Sequence, residues 1–314
     1  MSNVVFGSGP LAWWVMQTLL ERGKEVSMVS RSGKTDRQLP AGVKLLACDL
    51  NDAEAVAQAC LGAKQLYFCA MPPYTRWPEE FPGMVTGFLQ GAKASGADIV
   101  YGDNLYMYGP TDGKVLTEDL GYHAPGHKGK VRAAMADLFM EAHSSGQQRV
   151  TMGRVSDFYG PEVVNAMFGE DFFKAALTGK TANLVGDPDQ PHTYSYIKDF
   201  ARGLVTLGEQ DAAFGESWHI PAAPTLTTRE LVGIIEEELG GSVRFRTAGK
   251  GMISFLGLFN PMIKEVKEML YTSTAPYVVD HSKFERVFDL EVTSHEQAIS
   301  ETLRWYEERL KAAN

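Results

Sequence analysis

A glycine turn near the amino terminus constrains this chain more than any other stretch. The apolar run Val4-Val5-Phe6 meets Gly7-Ser8-Gly9-Pro10-Leu11-Ala12, where the pattern of a helix begins. Gly7 permits a tight turn with positive φ, and Gly9 lets a pyrophosphate approach the backbone. A plain strand–turn–helix with glycines for packing is the alternative. The turn predicts a dinucleotide site, with cofactor-binding residues Gly7, Ser8, Gly9, Pro10 and Leu11.

The first half of the chain alternates short apolar runs with helical patterns. This alternation is typical of βαβ units in a doubly wound parallel sheet. Strands are predicted at 3–6, 25–30, 43–47, 65–69, 97–101 and 149–155, and helices at 10–22, 52–61, 82–95 and 128–144. The predicted fold class is therefore α/β, a Rossmann fold with a smaller C-terminal substrate lobe.

The predicted boundaries divide the chain into two regions. Residues 1–160 form the dinucleotide-binding domain, which residues 193–220 complete through a helix at 197–208 and a strand near 216–219. Residues 161–192 and 221–314 form the substrate-binding lobe, with helices at 229–239 and 294–310. The segment 250–271 is rich in Met, Phe and Leu, which favours a helix pair or a dimer face over pocket lining.

Composition excludes several classes of partner. The 314 residues carry a net charge of −9, which argues against a nucleic-acid partner. We expect no membrane span, since the sequence lacks an 18-residue apolar run, and no signal peptide, since a strand pattern begins at once. The three cysteines form no C-x-x-C pair and are expected to be reduced thiols of a cytoplasmic protein.

The end of the second strand indicates which dinucleotide is bound. NAD sites usually carry an acid there for the ribose 2′-hydroxyl, but here the first acid is Asp36, after Arg31, Ser32 and Lys34. Arg31 and Ser32 could hold a 2′-phosphate, so NADP is favoured over NAD. A solvated basic loop is the alternative reading. Asp49 and Leu50, which follow the third strand, are predicted to lie beside the adenine.

Four further stretches, together with the glycine turn, carry a family resemblance. They are Asp103–Pro110 (DNLYMYGP), Lys128–Ala133 (KGKVRA), Arg154–Pro161 (RVSDFYGP) and Tyr196–Ala201 (YIKDFA). Over roughly residues 1–240 the chain resembles the extended short-chain dehydrogenase/reductase superfamily, and within it an atypical branch of the NAD-dependent epimerase/dehydratase family. The resemblance implies the fold more specifically than it implies an activity, and a homodimer is an expectation at the family level that no residue here establishes.

Members of that family typically use a serine, a tyrosine and a lysine. The tyrosine transfers a proton, and the lysine, four residues later on the same helix, holds the nicotinamide ribose. The serine position falls here on Asn104. Counting back four residues from Lys128 gives Ala124, and from Lys130 gives Gly126, so neither register supplies a tyrosine.

The residues nevertheless offer a non-standard catalytic set. Lys128 is preferred as the ribose-binding lysine, with Lys130 as the alternative, and Asn104 can bind a substrate oxygen. Tyr122, in a Gly/Pro-containing loop, is the first candidate for proton transfer. The other candidates are Tyr106, Tyr108, Tyr74 and His127.

The loop 70–78 follows the fourth strand, where the fold places the nicotinamide and the substrate. Ala70 is predicted to contact the cofactor, although a proline-stiffened surface loop is an equal alternative for the segment. The predicted substrate contacts are Tyr74, Arg76, Tyr106, Arg154 and Tyr194. The seven histidines show no metal-ligand spacing, so no metal site is expected.

These patterns predict an NADP-dependent oxidoreductase or epimerase-like enzyme. It would transfer a hydride to or from a carbonyl or alcohol carbon of a small organic substrate held against Asn104. The alternative is a catalytically silent NADP(H)-binding redox sensor, because the usual tyrosine is missing.

Overall fold

The computed structural model describes residues 2–249, 251–253, 259 and 261–312, with the backbone alone for 261–264. The strands are β1 Ser2–Phe6, β2 Glu25–Ser30, β3 Lys44–Ala47, β4 Ala63–Phe68, β5 Asp98–Asp103, β6 Val150–Arg154, β7 Phe158–Tyr159, β8 Ala182–Val185, β9 Pro191–His192, β10 Ser195–Tyr196, β11 Ser217–His219, β12 Leu226–Thr227 and β13 Phe245–Ala248. The α-helices are α1 Pro10–Glu21, α2 Ala53–Ala59, α3 Trp77–Ala92, α4 His127–Ser144, α5 Glu170–Leu177, α6 Ile197–Glu209, α7 Thr228–Leu239, α8 Pro261–Glu268, α9 Tyr271–Thr274, α10 Ser282–Glu285 and α11 His295–Ala312.

A seven-stranded parallel sheet organises these elements in the order β11-β6-β5-β4-β1-β2-β3. Its central strands are apolar runs buried on both faces, as parallel strands covered by helices require. The order reverses between β1 and β4, so a crevice opens at the carboxyl end of β1. The α/β fold predicted from the sequence is confirmed.

Helices cover both faces of the sheet. One apolar core joins α1 and α6 to the C-terminal lobe, and the other lies beneath α2, α3 and α4. In the second core Phe68 packs against Phe88 and Phe139, with ring centroids 4.7 and 5.3 Å away. These cores fix the ends of β1, β4, β5 and β6 relative to one another.

One helix boundary differs from its prediction. The sequence predicts a helix over 82–95, but α3 begins at Trp77 with a proline in its first turn, and Pro82 lies inside it. Trp77 is 1% exposed, so tertiary packing anchors the earlier start. The predicted strands and the helices at 10–22, 52–61 and 128–144 are all present, with ends shifted by at most two residues.

The C-terminal lobe pairs distant segments of the chain. β13 pairs with β8, and β12 with β9. Outside this lobe, β10 pairs with β7 in a separate two-stranded sheet. Helix α7 begins with a capping box between Thr227 and Glu230, as its sequence suggests. Much of the predicted Met-, Phe- and Leu-rich segment, including 254–258, lies outside the described residues. Among the helices that are described, none has the length and apolar character needed to cross a membrane.

Candidate active site

The glycine turn forms the first part of the site. Gly7 has φ of +127° and donates its N–H to Val29 O at 2.8 Å; a Cβ there would lie 3.0 Å from Cys69 O. At Gly9 a Cβ would meet nothing within 4 Å. The N-cap residue of α1 is Gly9, which has no side chain to cap the helix, and α1 starts with Pro10. The open space over Gly9 and the uncapped helix start fit a dinucleotide pyrophosphate.

Arg37 is a residue of this region that sequence reasoning missed. Its Nη1 donates to Ser8 O at 2.9 Å, and its Nη2 lies 2.8 Å from Glu162. The guanidinium also lies 5.3 Å from the centre of the Trp13 ring. A cation is therefore fixed on the glycine turn from a loop 29 residues away.

The end of β2 carries no carboxylate. Ser30 is buried, and in the described part of the protein its hydroxyl has no hydrogen-bond partner. Arg31 and Ser32 are exposed beside it. Hydrogen bonds from Asn51 lower the pKa of Asp49, and the charge of Arg31 lowers it further. Ser30 adds an unused hydroxyl to the predicted set of Arg31, Ser32, Asp49 and the buried Leu50.

A buried carboxylate between two arginines lies at the ends of β5 and β6. Asp103 Oδ1 accepts from Arg132 Nη1 at 3.2 Å, and Oδ2 accepts from Arg154 Nε at 3.2 Å. The side chains of Asp103 and Arg154 are fully buried, and that of Arg132 is 7% exposed. This carboxylate joins two groups of side chains that flank the crevice.

The first group surrounds Arg154. Its Nη1 donates to Tyr108 Oη at 2.8 Å, and its Nη2 donates to Tyr122 Oη at 2.5 Å. His219 Nδ1 donates a hydrogen bond to the Asp280 carbonyl at 3.0 Å. Because Nδ1 carries the proton of the neutral ring, Nε2 accepts a hydrogen bond from Tyr108 Oη at 3.0 Å. Burial lowers the pKa of His219 to about 3 and raises that of Tyr108 to about 12. Tyr108 is 2% exposed and its hydroxyl is hydrogen-bonded to both Arg154 and His219, so its role is structural. Tyr122 is 36% exposed.

The second group surrounds Lys128 in the first turn of α4. The lysine is completely buried, and its Nζ donates to the Tyr74 carbonyl and lies 2.6 Å from Glu265. Its ammonium lies 4.4 Å from the centre of the Tyr74 ring. Glu268 accepts from the Lys128 backbone N–H at 2.5 Å. Lys130 is exposed, so the structure favours Lys128 over Lys130 as the inward lysine.

Arg132 is the second inward cation of α4. It lies four residues after Lys128, on the same helical face. Its guanidinium carbon is 4.4 Å from the centre of the Trp77 ring, and Lys128 Nζ is 5.3 Å from the same point. The four-residue spacing before each lysine does not contain this pair, whereas the same spacing after Lys128 predicts it.

The remaining predicted residues are distributed unevenly. Asn104 is partly exposed, and its Oδ1 accepts from Tyr106 N at 3.1 Å. Arg76 is exposed and pairs with Glu80 at 2.8 Å. Tyr194 is 2% exposed, with its hydroxyl 2.6 Å from Thr228. The structure therefore brings Asn104, Tyr74 and Tyr106 to the site, while Arg76 lies on the surface and Tyr194 in the core.

The chain matches the model of a known protein family over most of its length. The model of the NAD dependent epimerase/dehydratase family matches residues 5–220. The chain belongs to this epimerase/dehydratase family. The match covers the glycine turn, the ends of β5 and β6, and α4. No curated protein matches the chain significantly by sequence.

Solved structures of family enzymes share the whole fold. The dTDP-glucose 4,6-dehydratase DesIV from Streptomyces venezuelae, crystallised with NAD and TYD, is 21% identical, with a TM-score of 0.80 and coverage of 99% of this chain and 98% of that one. The Bacillus cereus UDP-glucuronic acid 4-epimerase, crystallised with UDP-glucuronic acid and NAD, is 17% identical, with a TM-score of 0.80 and coverage of 98% and 100%. The Thermus thermophilus UDP-glucose 4-epimerase in complex with NAD is 18% identical, with a TM-score of 0.78 and coverage of 98% and 99%.

As a member of the epimerase/dehydratase family, the chain has an unusual α4. The helix carries no tyrosine, and its inward-facing residues with the four-residue spacing are Lys128 and Arg132, so an arginine follows the lysine instead of a tyrosine preceding it. Tyr122 comes from the preceding loop and contacts Arg154 instead of this pair. Within the described residues, no group of three His, Cys, Asp or Glu side chains could hold a metal ion.

Proposed function

We propose that this protein is an NADP-dependent oxidoreductase or epimerase-like enzyme with a non-standard catalytic set. The observation that carries the proposal is the placement of an uncapped glycine turn and the polar groups of Asn104 and Tyr122 along one edge of the sheet. A bound nicotinamide would supply hydride transfer to or from a carbonyl or alcohol carbon. The three solved relatives were crystallised with NAD, so a nicotinamide dinucleotide fits the family.

The end of β2 supports NADP over NAD. An NAD site would place a carboxylate on the ribose 2′-hydroxyl. This chain instead offers the unpartnered Ser30 hydroxyl and the exposed Arg31 and Ser32, which suit a 2′-phosphate. Arg37, already fixed on Ser8, would add positive charge next to the pyrophosphate.

The protein groups have separable roles in this proposal. The Asn104 amide would bind the reacting oxygen of the substrate. Tyr122 would hand over or receive the proton, while the Arg154 guanidinium, 2.5 Å from its oxygen, stabilises the charge left behind. Lys128 would hold the nicotinamide ribose, the role that the family resemblance implies for the lysine.

The first substrates to test are nucleotide sugars, because two of the solved relatives are a dTDP-glucose dehydratase and a UDP-glucuronic acid epimerase. An epimerisation or a dehydration causes no net redox change, so an enzyme of either kind can keep its dinucleotide through turnover, whereas a reductase must exchange it. The state of the cofactor after purification therefore separates these classes.

One arrangement favours a second candidate function, a redox sensor that binds NADP(H) without turnover. Lys128 is held by Glu265 and the Tyr74 carbonyl, and α4 carries no tyrosine. A sensor requires the nucleotide site but no proton donor, so these contacts would suit it.

The deciding experiment is to purify the protein without added cofactor, denature it and identify any released nucleotide by mass spectrometry. NADP at nearly one per chain supports a recycled cofactor or a sensor, and the presence of substrate turnover then distinguishes the two. An empty protein that binds NADP and oxidises or reduces a substrate supports an exchanging reductase. A protein that neither retains nor binds NADP or NAD contradicts the proposal.

A further inference from the structure

The guanidinium of Arg132 has one edge that the protein leaves almost unused. Its Nη1 is well bonded, to Tyr101 Oη at 2.8 Å and to Asp103 at 3.2 Å. Its Nη2 contacts the thioether sulfur of Met71 at 3.2 Å, which is a weak acceptor. Its Nε is buried and, among the described residues, has no hydrogen-bond partner. The Nε–Nη2 edge therefore lacks an oxygen acceptor.

This edge is the one with which arginine binds a carboxylate through two parallel hydrogen bonds. Arg229 of the same chain uses it in that way. Its Nε lies 2.7 Å from Asp189 Oδ1, and its Nη2 lies 3.0 Å from Oδ2. A carboxylate in place of the Met71 sulfur could accept from Arg132 Nε and Nη2 in the same way.

The charges around Arg132 also favour an anion. Lys128, Arg132 and Arg154 are all buried, and the buried carboxylate that pairs with two of them is Asp103. His219 is neutral near pH 7, because burial lowers its pKa to about 3. Glu265, the partner of Lys128, is 25% exposed and belongs to the C-terminal lobe. Glu268 of the same helix also lies beside Lys128, at its backbone N–H, so both glutamates serve the lysine. Arg132 and Arg154 share Asp103, and a second anion at Arg132 would give each of the two buried guanidiniums its own carboxylate.

The covering group can move aside. Met71 lies on the loop after β4 and is 53% exposed as a whole, although its sulfur contacts the buried Arg132. Methionine is flexible and makes only weak polar contacts, so a ligand oxygen can displace it at small cost. The loop also carries Tyr74, whose ring stacks on the Lys128 ammonium.

We propose that the Nε–Nη2 edge of Arg132, with Lys128 beside it, binds a carboxylate of the substrate after Met71 moves away. The proposal deepens the proposed function, on which it rests, since it assigns a substrate with a carboxylate close to the reacting carbon. Arg132 acts as a substrate-binding residue: it fixes the anion, while the proton transfer stays with other groups.

The test is calorimetric titration of the NADP-loaded protein and of the nucleotide-free protein with oxalate, a planar dicarboxylate, and with inorganic phosphate. We expect oxalate to bind, and Arg132→Met and Arg132→Lys each to weaken it at least about tenfold, since an ammonium cannot replace the fork. Arg229→Met, which removes the other forked arginine on the surface, should leave oxalate affinity unchanged. Met71→Ala should tighten oxalate binding several-fold by uncovering the edge.

Unchanged oxalate affinity in the Arg132 variants would overturn the proposal, as would weaker binding by Met71→Ala. Because Met71 is exposed, its variant remains informative even if an Arg132 variant unfolds. Tighter binding of phosphate than of oxalate would overturn the carboxylate assignment. Failure of the nucleotide-free protein to bind NADP in a separate titration would instead count against the proposed function, while oxalate binding to that protein would still test Arg132.

Discussion

At the end of β1 the protein presents its backbone, whereas at the ends of β5 and β6 it presents buried charges. The glycine turn offers an open space over Gly9 and an uncapped helix. Around Asp103, two arginines, two tyrosines and a histidine are joined by hydrogen bonds, and all of them except Tyr122 are buried. The first arrangement leaves its binding groups free for a ligand, while the second uses most of its bonding capacity within the protein. Changes at the two ends should therefore have different consequences.

Replacing Asp103 should have the largest effect on folding. Asp103→Asn leaves two buried guanidiniums without their shared carboxylate, and we expect a loss of about 3–5 kcal/mol in the free energy of unfolding. Urea denaturation followed by circular dichroism measures it. The matched control is Asp98→Asn on the same strand, because Asp98 pairs with Arg149, which is 47% exposed, and should cost less than about 1 kcal/mol. Equal losses in the two variants would contradict the structural role of Asp103.

Tyr122 should matter for turnover and little for folding. In Tyr122→Phe the half-exposed ring is retained and one hydrogen bond to Arg154 is lost, so we expect stability within about 1 kcal/mol of the parent. Turnover should fall by about a hundredfold or more if Tyr122 transfers the proton, with NADP affinity unchanged.

The contrasting variant is Tyr108→Phe. Tyr108 is buried and bridges Arg154 to His219, so its loss should lower the free energy of unfolding by about 1–3 kcal/mol. Steady-state kinetics on the proteins that remain folded, with nucleotide-sugar substrates, compares the two. Full turnover by Tyr122→Phe would remove that residue from the mechanism, and absence of turnover in the parent protein would favour the sensor.

The two ends also differ in how far sequence alone could predict them. The turn from Gly7 to Leu11 depends on neighbours in the chain, so its geometry followed from the residue types. The bonds of Asp103 join residues 29 and 51 positions away, and no local pattern pairs them. Asp103 and Arg154 could have been paired in principle, since both end neighbouring parallel strands and therefore meet at one edge.

The contacts of several other site residues could be established only from the tertiary structure. Arg154 and Tyr194 were predicted as substrate contacts from their place in motifs, yet neither side chain is accessible. The contact of Arg37 with Ser8 depends on the path of the loop after β2. The role of Glu265 depends on where α8 packs. In each case the residue type was visible, but its neighbours were set by packing of distant segments.

Arg31 should affect nucleotide binding without affecting folding. Its side chain is exposed at the end of β2, so Arg31→Ala should leave the urea midpoint unchanged while weakening NADP binding about tenfold or more. Binding of NAD should not change, because NAD lacks the 2′-phosphate. Calorimetric titration with both nucleotides measures these affinities. The control is Arg22→Ala, because Arg22 precedes the start of β2 and pairs with Glu209. Unchanged NADP affinity in Arg31→Ala would refute the cofactor argument.

The pH dependence of stability should sharpen the comparison at the buried end. Burial lowers the pKa of His219 to about 3, below its ordinary value of 6.5. The unfolded chain therefore takes up a proton as the pH falls below 6.5, and the native protein does not, so stability is lost between pH 6.5 and about 3.

Between pH 7.5 and 5.5, we expect the parent protein to lose about 1.4 kcal/mol more than His219→Gln, measured by urea denaturation at both pH values. Burial also lowers the pKa of His295, which gives a loss of the same sign in both proteins and cancels in the difference. Equal pH slopes would mean that His219 is hydrated or charged in the native protein, and that the region around Arg154 is more open than its hydrogen bonds indicate. The contrast between an open nucleotide end and a buried charged end would then fail at a fully buried titratable group.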